Sequence, residues 1–264
     1  MNTTDYKYLT VTIDSRAIAT ITMTRVEVHN AFDDVMITEL MNAFSTLKYD
    51  DNVRGVVLRS KGKNFSAGAD VNWMRAMVNN NFQQNIDDAA LLAKLMAAIN
   101  FFPKPTIALV QGAAFGGAVG LVACCDIALA TPQASFCLSE VKIGLIPSAI
   151  SPYVVAAMGQ RQARRYFLTA ERFKAQQAVD FGLVHQVVDD LDKGVTPIID
   201  SLLGNSPAAM AAAKELIEFV SSKPVDSRII HGTTERIATI RVSDEGQEGL
   251  NAFLDKRTPS WVKE

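Results

Sequence analysis

The chain has 264 residues, of which 48% are hydrophobic and 20% charged, and a formal net charge of −2. That length and balance suit a packed globular core. The near-neutral charge gives no basic face for wrapping nucleic acid, so an anionic ligand would have to be held by local groups. Three cysteines, Cys124, Cys125 and Cys137, form neither a disulfide framework nor paired zinc spacing, and buried reduced thiols are expected. The opening MNTTDYKYLT has no charged region followed by an apolar run and does not read as a signal peptide. The most apolar stretch, Ala113 to Ala130, is broken by Gly116, Gly117, Gly120 and Asp126, so no membrane span is expected and the cytoplasm is the default.

In chain order, Tyr8 to Ile13 and Ala17 to Met23 read as strands around an Asp14-Ser15-Arg16 turn. Met36, Ile37, Leu40, Met41, Phe44 and Leu47 recur at helical spacing. Val53 to Leu58 suits a strand covered on both faces. Asp87 to Phe102 reads as a helix and Pro105 to Val110 as a strand. A glycine turn then leads to a helix around Ala118 to Ala123 and a strand from Asp126 to Ala130. This alternation predicts an α/β fold with crossover connections over residues 1–195.

From about Thr196 the pattern becomes helix after helix, a C-terminal region of residues 196–264 with no Pro/Gly/Ser-rich linker before it. Ser206-Pro207 is a helix start, serine accepting from a free amide and proline fitting the first position, followed by strong helix formers from Ala208 to Val220. A last helix is expected near Asp244 to Lys256, acidic at its start and basic at its end in the sense that complements the helix dipole.

Two loops carry the chemical information. Asn64 to Asp70 lies between a strand and a helix beginning near Val71, and Gln111 to Gly120 lies between the next strand and its helix. Tiny side chains let a ligand touch the main chain, and free amides at a helix start receive negative charge. Two such amides meeting at one oxygen would make an oxyanion hole. Read singly, each loop is equally a way to pack helix tightly on sheet. Neither matches a phosphate-binding loop or a dinucleotide fingerprint. Glu140 sits in the apolar run Phe136 to Pro147, where it is either a surface carboxylate at a strand end or a desolvated one able to hold and release a proton. His29, His185 and His231 share no triad or metal spacing, so no metal site is expected.

The segments Phe65-Ser66-Ala67-Gly68-Ala69-Asp70, Gly112 to Gly117, Cys125-Asp126-Ile127 and Phe136 to Pro147 resemble the crotonase (enoyl-CoA hydratase/isomerase) superfamily. So do Leu168 to Phe173, Gly182-Leu183-Val184, Ser206-Pro207 and the region from Glu248-Gly249 to Lys256-Arg257, in order along nearly the whole chain. The resemblance implies a ββα spiral core, a C-terminal α-helical trimerisation region, and a homotrimer or dimer of trimers. It also implies an acyl-CoA thioester substrate, with coenzyme A as carrier and no other cofactor. By position, Ala69 and Gly117 would supply the oxyanion amides and Glu140 a catalytic carboxylate. Ala67, Gly68, Asp70 and Gly116 would lie along the substrate, and Phe253 and Lys256 would reach coenzyme A from the last helix.

The family's second glutamate falls at Gly120, and Ser148-Ala149-Ile150-Ser151-Pro152 replaces its common glycine-rich run. The missing side chain is expected to leave room, with Ser148 and Ser151 lining the pocket. Arg75 and Lys142 are candidates to meet a substrate carboxylate. These departures resemble the methylglutaconyl-CoA and γ-carboxygeranoyl-CoA hydratase branch and imply hydration of a branched, carboxylated 2-enoyl-CoA. A Δ3,Δ2-enoyl-CoA isomerase using one glutamate, or a non-catalytic acyl-CoA-binding trimer, are the alternatives.

Overall fold

The computed structural model describes residues 5–262; the first four residues of the N-terminal stretch read above and the last two of the chain lie outside that range. The described chain falls into two compact units. The first comprises residues up to Phe102 together with Thr106–Val195, and the second comprises Pro103–Pro105 and the residues from Thr196 onward.

The first unit opens with β1 (Leu9–Ile13) and β2 (Ile18–Met23), paired antiparallel with Leu9 opposite Met23. The Asp14 side chain makes the turn, accepting from the amides of Arg16 at 2.9 Å and Ile18 at 2.8 Å. Helix α1 (Asp34–Lys48) follows, its first turn capped by Asp33 through the Met36 amide. It buries Met36, Ile37, Leu40, Phe44 and Leu47 of the stripe that the helical spacing predicts, and leaves Met41 half-buried. Strand β3 (Gly55–Ser60) lies parallel to β2, and α2 (Val71–Met77) is short. Helix α3 (Phe82–Asn100) starts five residues before the sequence expectation, because Asn81 and Gln84 form a reciprocal cap that extends the helix into a polar run.

Two β-β-α turns then carry the chain between sheets. β4 (Thr106–Val110) and β5 (Ala113–Phe115) lead to α4 (Gly117–Cys124). β6 (Ile127–Ala130) and β7 (Ser135–Cys137) lead through a 3-10 turn, Glu140–Ile143, to α5 (Ser151–Thr169), which is interrupted at Gly159. The unit continues with β8 (Phe173–Lys174), α6 (Ala175–Asp180) and β9 (Gln186–Val187). One sheet has the order β1-β2-β3-β4-β6-β9, parallel beyond the first hairpin, and the other the order β5-β7-β8. Both faces of the central strands are covered, so all five residues of β4 are buried.

Helix α7 (Leu191–Leu203) runs across the division between the units. Helices α8 (Pro207–Val220), α9 (Ser227–Val242) and α10 (Asp244–Leu254) make up most of the second unit. Ser206 caps α8 through the Ala209 amide, with Pro207 at the first position. Lys256 lies beyond the end of α10 in a left-handed conformation with φ 55°, while Arg257 turns back to pair with Glu248 at 2.6 Å. No described helix is long and apolar enough to cross a membrane.

Candidate active site

The two glycine-containing loops of the sequence are tied to each other by their main chains. Phe65 donates its amide to Gln111 O at 2.7 Å, Ser66 to Ala113 O at 3.0 Å, and Phe115 to Ser66 O at 3.1 Å. Gly68, at φ 93°, lies so close to the second loop that a Cβ there would sit 2.8 Å from Phe115 O. Only glycine permits both that backbone angle and that approach.

Phe32 joins the two amides of interest. Its own amide donates to Gly68 O and its carbonyl accepts from Asp70 N, each at 2.9 Å, which leaves the Ala69 amide between them. Its ring lies against the second loop, with Cζ 2.5 Å from where a Cβ on Gly117 would stand. Gly117 begins α4, where an amide has no intrahelical acceptor. Gly116, at φ 55° and ψ −128°, turns the chain into that helix and anchors itself by donating to Cys137 O at 2.8 Å. Among the described residues neither the Ala69 nor the Gly117 amide has a hydrogen-bond acceptor.

Beyond this loop pair, Asp70 caps α2 by accepting from Asn72 N at 2.8 Å and Trp73 N at 3.2 Å. Its other oxygen pairs with Arg25 Nη2 at 3.0 Å, and Arg25 Nη1 pairs with Asp33, the cap of α1, at 3.1 Å. Burial alone would raise the Asp70 carboxyl, but the Trp73 and Asn72 amides and Arg25 outweigh it and hold it below the ordinary carboxylate range. Asp70 is therefore a buried clamp whose side chain turns away from the loop surface.

Glu140 begins the 3-10 turn, and its Oε1 lies 3.4 Å from where a Cβ on Gly116 would be. Its Oε2 is buried without a hydrogen-bond partner. Burial pushes this carboxyl above the ordinary range, opposed only by a hydrogen bond from its own backbone amide. The Glu140 carboxyl is thus half-withdrawn from solvent, poorly satisfied and beside the opening turn of α4.

These groups share a cavity of about 500 Å³. Ala67, Gly68, Ala69, Gly116, Gly117, Glu140 and Ser148 line it. Phe253 and Lys256 belong to the second unit, where both are exposed. Arg75 does not line the cavity and meets Asn72 Oδ1 at 3.0 Å; Lys142 does line it. Ser151, expected in the wall, is absent from it, and its hydroxyl donates to Ser148 O at 2.8 Å.

Gly120 corrects an expectation. It is buried behind the cavity, and the room beside it is filled: a Cβ at 120 would sit 2.2 Å from Ile150 Cγ2, 2.7 Å from Ile150 Cβ and 3.0 Å from Met96 Sδ. The missing carboxylate is replaced by packed hydrocarbon, not by space.

Of the lining residues that escaped the sequence reading, three bear on the site most directly. Trp73 follows the first loop on α2, and Asp88 stands on α3 four residues before Leu92, which lies 3.6 Å from a Cβ placed on Gly117. Burial pushes the Asp88 carboxyl up, and the Trp73 side chain pulls it down by hydrogen bonding. Ile150 is the third. An aspartate in a polar helix start reads as solvated; only the helical phase linking positions 88, 92 and 96 could have marked it.

Solved structures share this architecture. An enoyl-CoA hydratase from Shewanella pealeana is 53% identical, with a TM-score of 0.96 over 98% of this chain and 97% of that one. An enoyl-CoA hydratase/isomerase from Marinobacter aquaeolei is 30% identical, with a TM-score of 0.91 over 97% of this chain and all of that one, 100%. Among curated relatives, the mitochondrial Delta(3,5)-Delta(2,4)-dienoyl-CoA isomerase of Dictyostelium discoideum is 29% identical over 97% of this chain and 92% of its own length. The fold and the loop pair thus define a crotonase-type α/β enzyme. The family model for enoyl-CoA hydratase/isomerase matches residues 14–264, and the chain belongs to that family.

Proposed function

We propose that this protein hydrates a branched 2-enoyl-CoA whose acyl group carries a second carboxylate, a thioester like 3-methylglutaconyl-CoA. The observation that carries the reading is the Glu140 carboxyl, with Oε1 beside Gly116 and Oε2 buried without a hydrogen-bond partner. An ionised Glu140 takes a proton from water as the water oxygen bonds to the β-carbon. The electron pair of the C=C bond moves to the thioester oxygen, where the Ala69 and Gly117 amides hold the enolate. Glu140 then returns its proton to the α-carbon, so that one water is added across the double bond and the carboxylate is regenerated. Lys142 is the one cation lining the cavity among the described residues, and it supports a carboxylated acyl group by meeting its distal charge.

On this reading the protein acts in the cytoplasm, coenzyme A is the carrier of the substrate and no further cofactor takes part. The helical region from Thr196 onward closes a homotrimer or a dimer of trimers, with Phe253 and Lys256 reaching coenzyme A.

The filled space at Gly120 favours a second reading, a Δ3,Δ2-enoyl-CoA isomerase, since one carboxylate suffices to move a proton from the α- to the γ-carbon. Reaction of 3-methylglutaconyl-CoA in heavy-oxygen water separates the two. Label in a 3-hydroxy product supports hydration; an unlabelled product with only a moved double bond establishes isomerisation. No turnover of either kind overturns both.

A further inference from the structure

Ile150 lies at a junction that the chemistry above does not use. Its side chain is 2% exposed and is both part of the core and a wall of the cavity. The backbone around it is pinned. Ser151 donates its amide to Ser148 O at 3.1 Å and its hydroxyl to the same carbonyl, while Ile150 O accepts from Val154 N at 3.1 Å in the first turn of α5. A β-branched side chain on so fixed a backbone has little rotamer freedom. Its γ-methyl is therefore held against Gly120, with Met96 closing the far side.

Gly120 stands three residues after Gly117 on α4, about 5 Å or roughly one turn along the helix from the amide that would hold the thioester oxygen, and Ile150 packs on it. The β-carbon of a bound enoyl group is two bonds from the thioester carbon. A substituent on it falls within reach of the Ile150 methyls.

We infer that Ile150, wedged into the space left by Gly120, is a specificity-determining residue that selects CoA thioesters bearing an alkyl branch at the β-carbon. This rests on the cavity being the acyl site and deepens the reading above. The wedge acts by contact, not by proton transfer. It gives the branch an apolar surface at a distance set by two helices, and it withholds any polar partner from that face.

The test is calorimetric binding of two unreactive saturated thioesters, butyryl-CoA and 3-methylbutyryl-CoA, which differ by one β-methyl. Because neither reacts, the result is independent of whether the enzyme hydrates or isomerises. The full-length protein is expected to prefer the branched thioester by about 5-fold, within the range that one methyl group contributes in an apolar pocket. Ile150→Ala should bring the ratio of the two dissociation constants close to one, and Ile150→Val, which keeps the β-branch, should retain most of it. With the true substrate, Ile150→Ala should raise KM while kcat changes less. Ile150→Leu moves the branch by one carbon at constant volume; it should also lower the preference and serves where the alanine variant does not fold. A wild-type ratio near one, or a ratio within twofold of wild type in folded Ile150→Ala or Ile150→Leu, overturns the inference. Retained discrimination with no hydration of 3-methylglutaconyl-CoA would overturn only the proposed reaction.

Discussion

Glu140→Gln tests the chemistry most directly, because the amide keeps the shape of the side chain and removes its ability to carry a proton. A positioned general acid–base contributes about 10²–10⁴-fold to rate. The loss here should lie in the upper part of that range, because the position where a second family carboxylate would stand, 120, has no side chain, and Ile150 and Met96 close its surroundings. A loss of about 10³–10⁴ in kcat corresponds to roughly 4–5.5 kcal/mol of barrier. The same substitution has a second readout, in stability. Burial raises the Glu140 carboxyl, so its folded-state pKa lies above the unfolded one. Such a group favours folding below the ordinary carboxylate range and loses that contribution as pH rises through the folded value. Glutamine does not titrate. The variant should therefore gain Tm relative to wild type between mildly acid and neutral pH. Wild-type kcat/KM should climb over the same window, as the carboxylate needed to take the proton from water forms. Steady-state kinetics from pH 5 to 9 and thermal melts at both ends of that window measure all three. Retention of more than about one-tenth of wild-type kcat, or a Tm difference that does not move with pH, would refute the assignment.

Further outcomes follow from the packing. Gly120→Ala should lower stability by about 1–3 kcal/mol through overpacking against Ile150, and an added Ile150→Ala should recover part of it, a coupling read from denaturant melts of the double-mutant cycle. Asp70→Ala should remove a helix cap with a cost of about 1 kcal/mol, and more from the lost Arg25 pair. Because the Asp70 carboxyl is held low, its contribution is present above the ordinary carboxylate range and fades as pH falls through its folded value, so the gap between wild type and variant should narrow in acid. Lys142→Gln should raise KM for a carboxylated enoyl-CoA by about 5-fold, the upper end for an exposed charge pair, and leave that for crotonyl-CoA within twofold.

Much of this was legible in the sequence for definite reasons. The α1 stripe from Met36 to Leu47 and the Ser206-Pro207 start are local patterns, and each forms where its own residues dictate. Small residues in the two loops announced main chain open to a ligand, and both loops line the cavity. What one sequence could not show is what packs where a side chain is missing. Gly120 reads as a vacancy until Ile150, thirty residues away, is seen in it. Asp88 was hidden for a similar reason: its meaning depends on Leu92 reaching Gly117 across two helices. Asp70 drew attention through its place in a motif, whereas its carboxylate faces Arg25 and its neighbour Ala69 lines the cavity.

Arg25 gives that last contrast a wider consequence. One guanidinium grips the residues that start two helices, and Phe32 and Ala69 are the immediate chain neighbours of those two aspartates. Loosening the grip would shift the donor at position 69, and with it that part of the cavity wall, from a residue that does not itself line the cavity. A variant at position 25 would therefore lose stability, through two buried aspartates left without their cation, and turnover as well, though its side chain does not line the cavity.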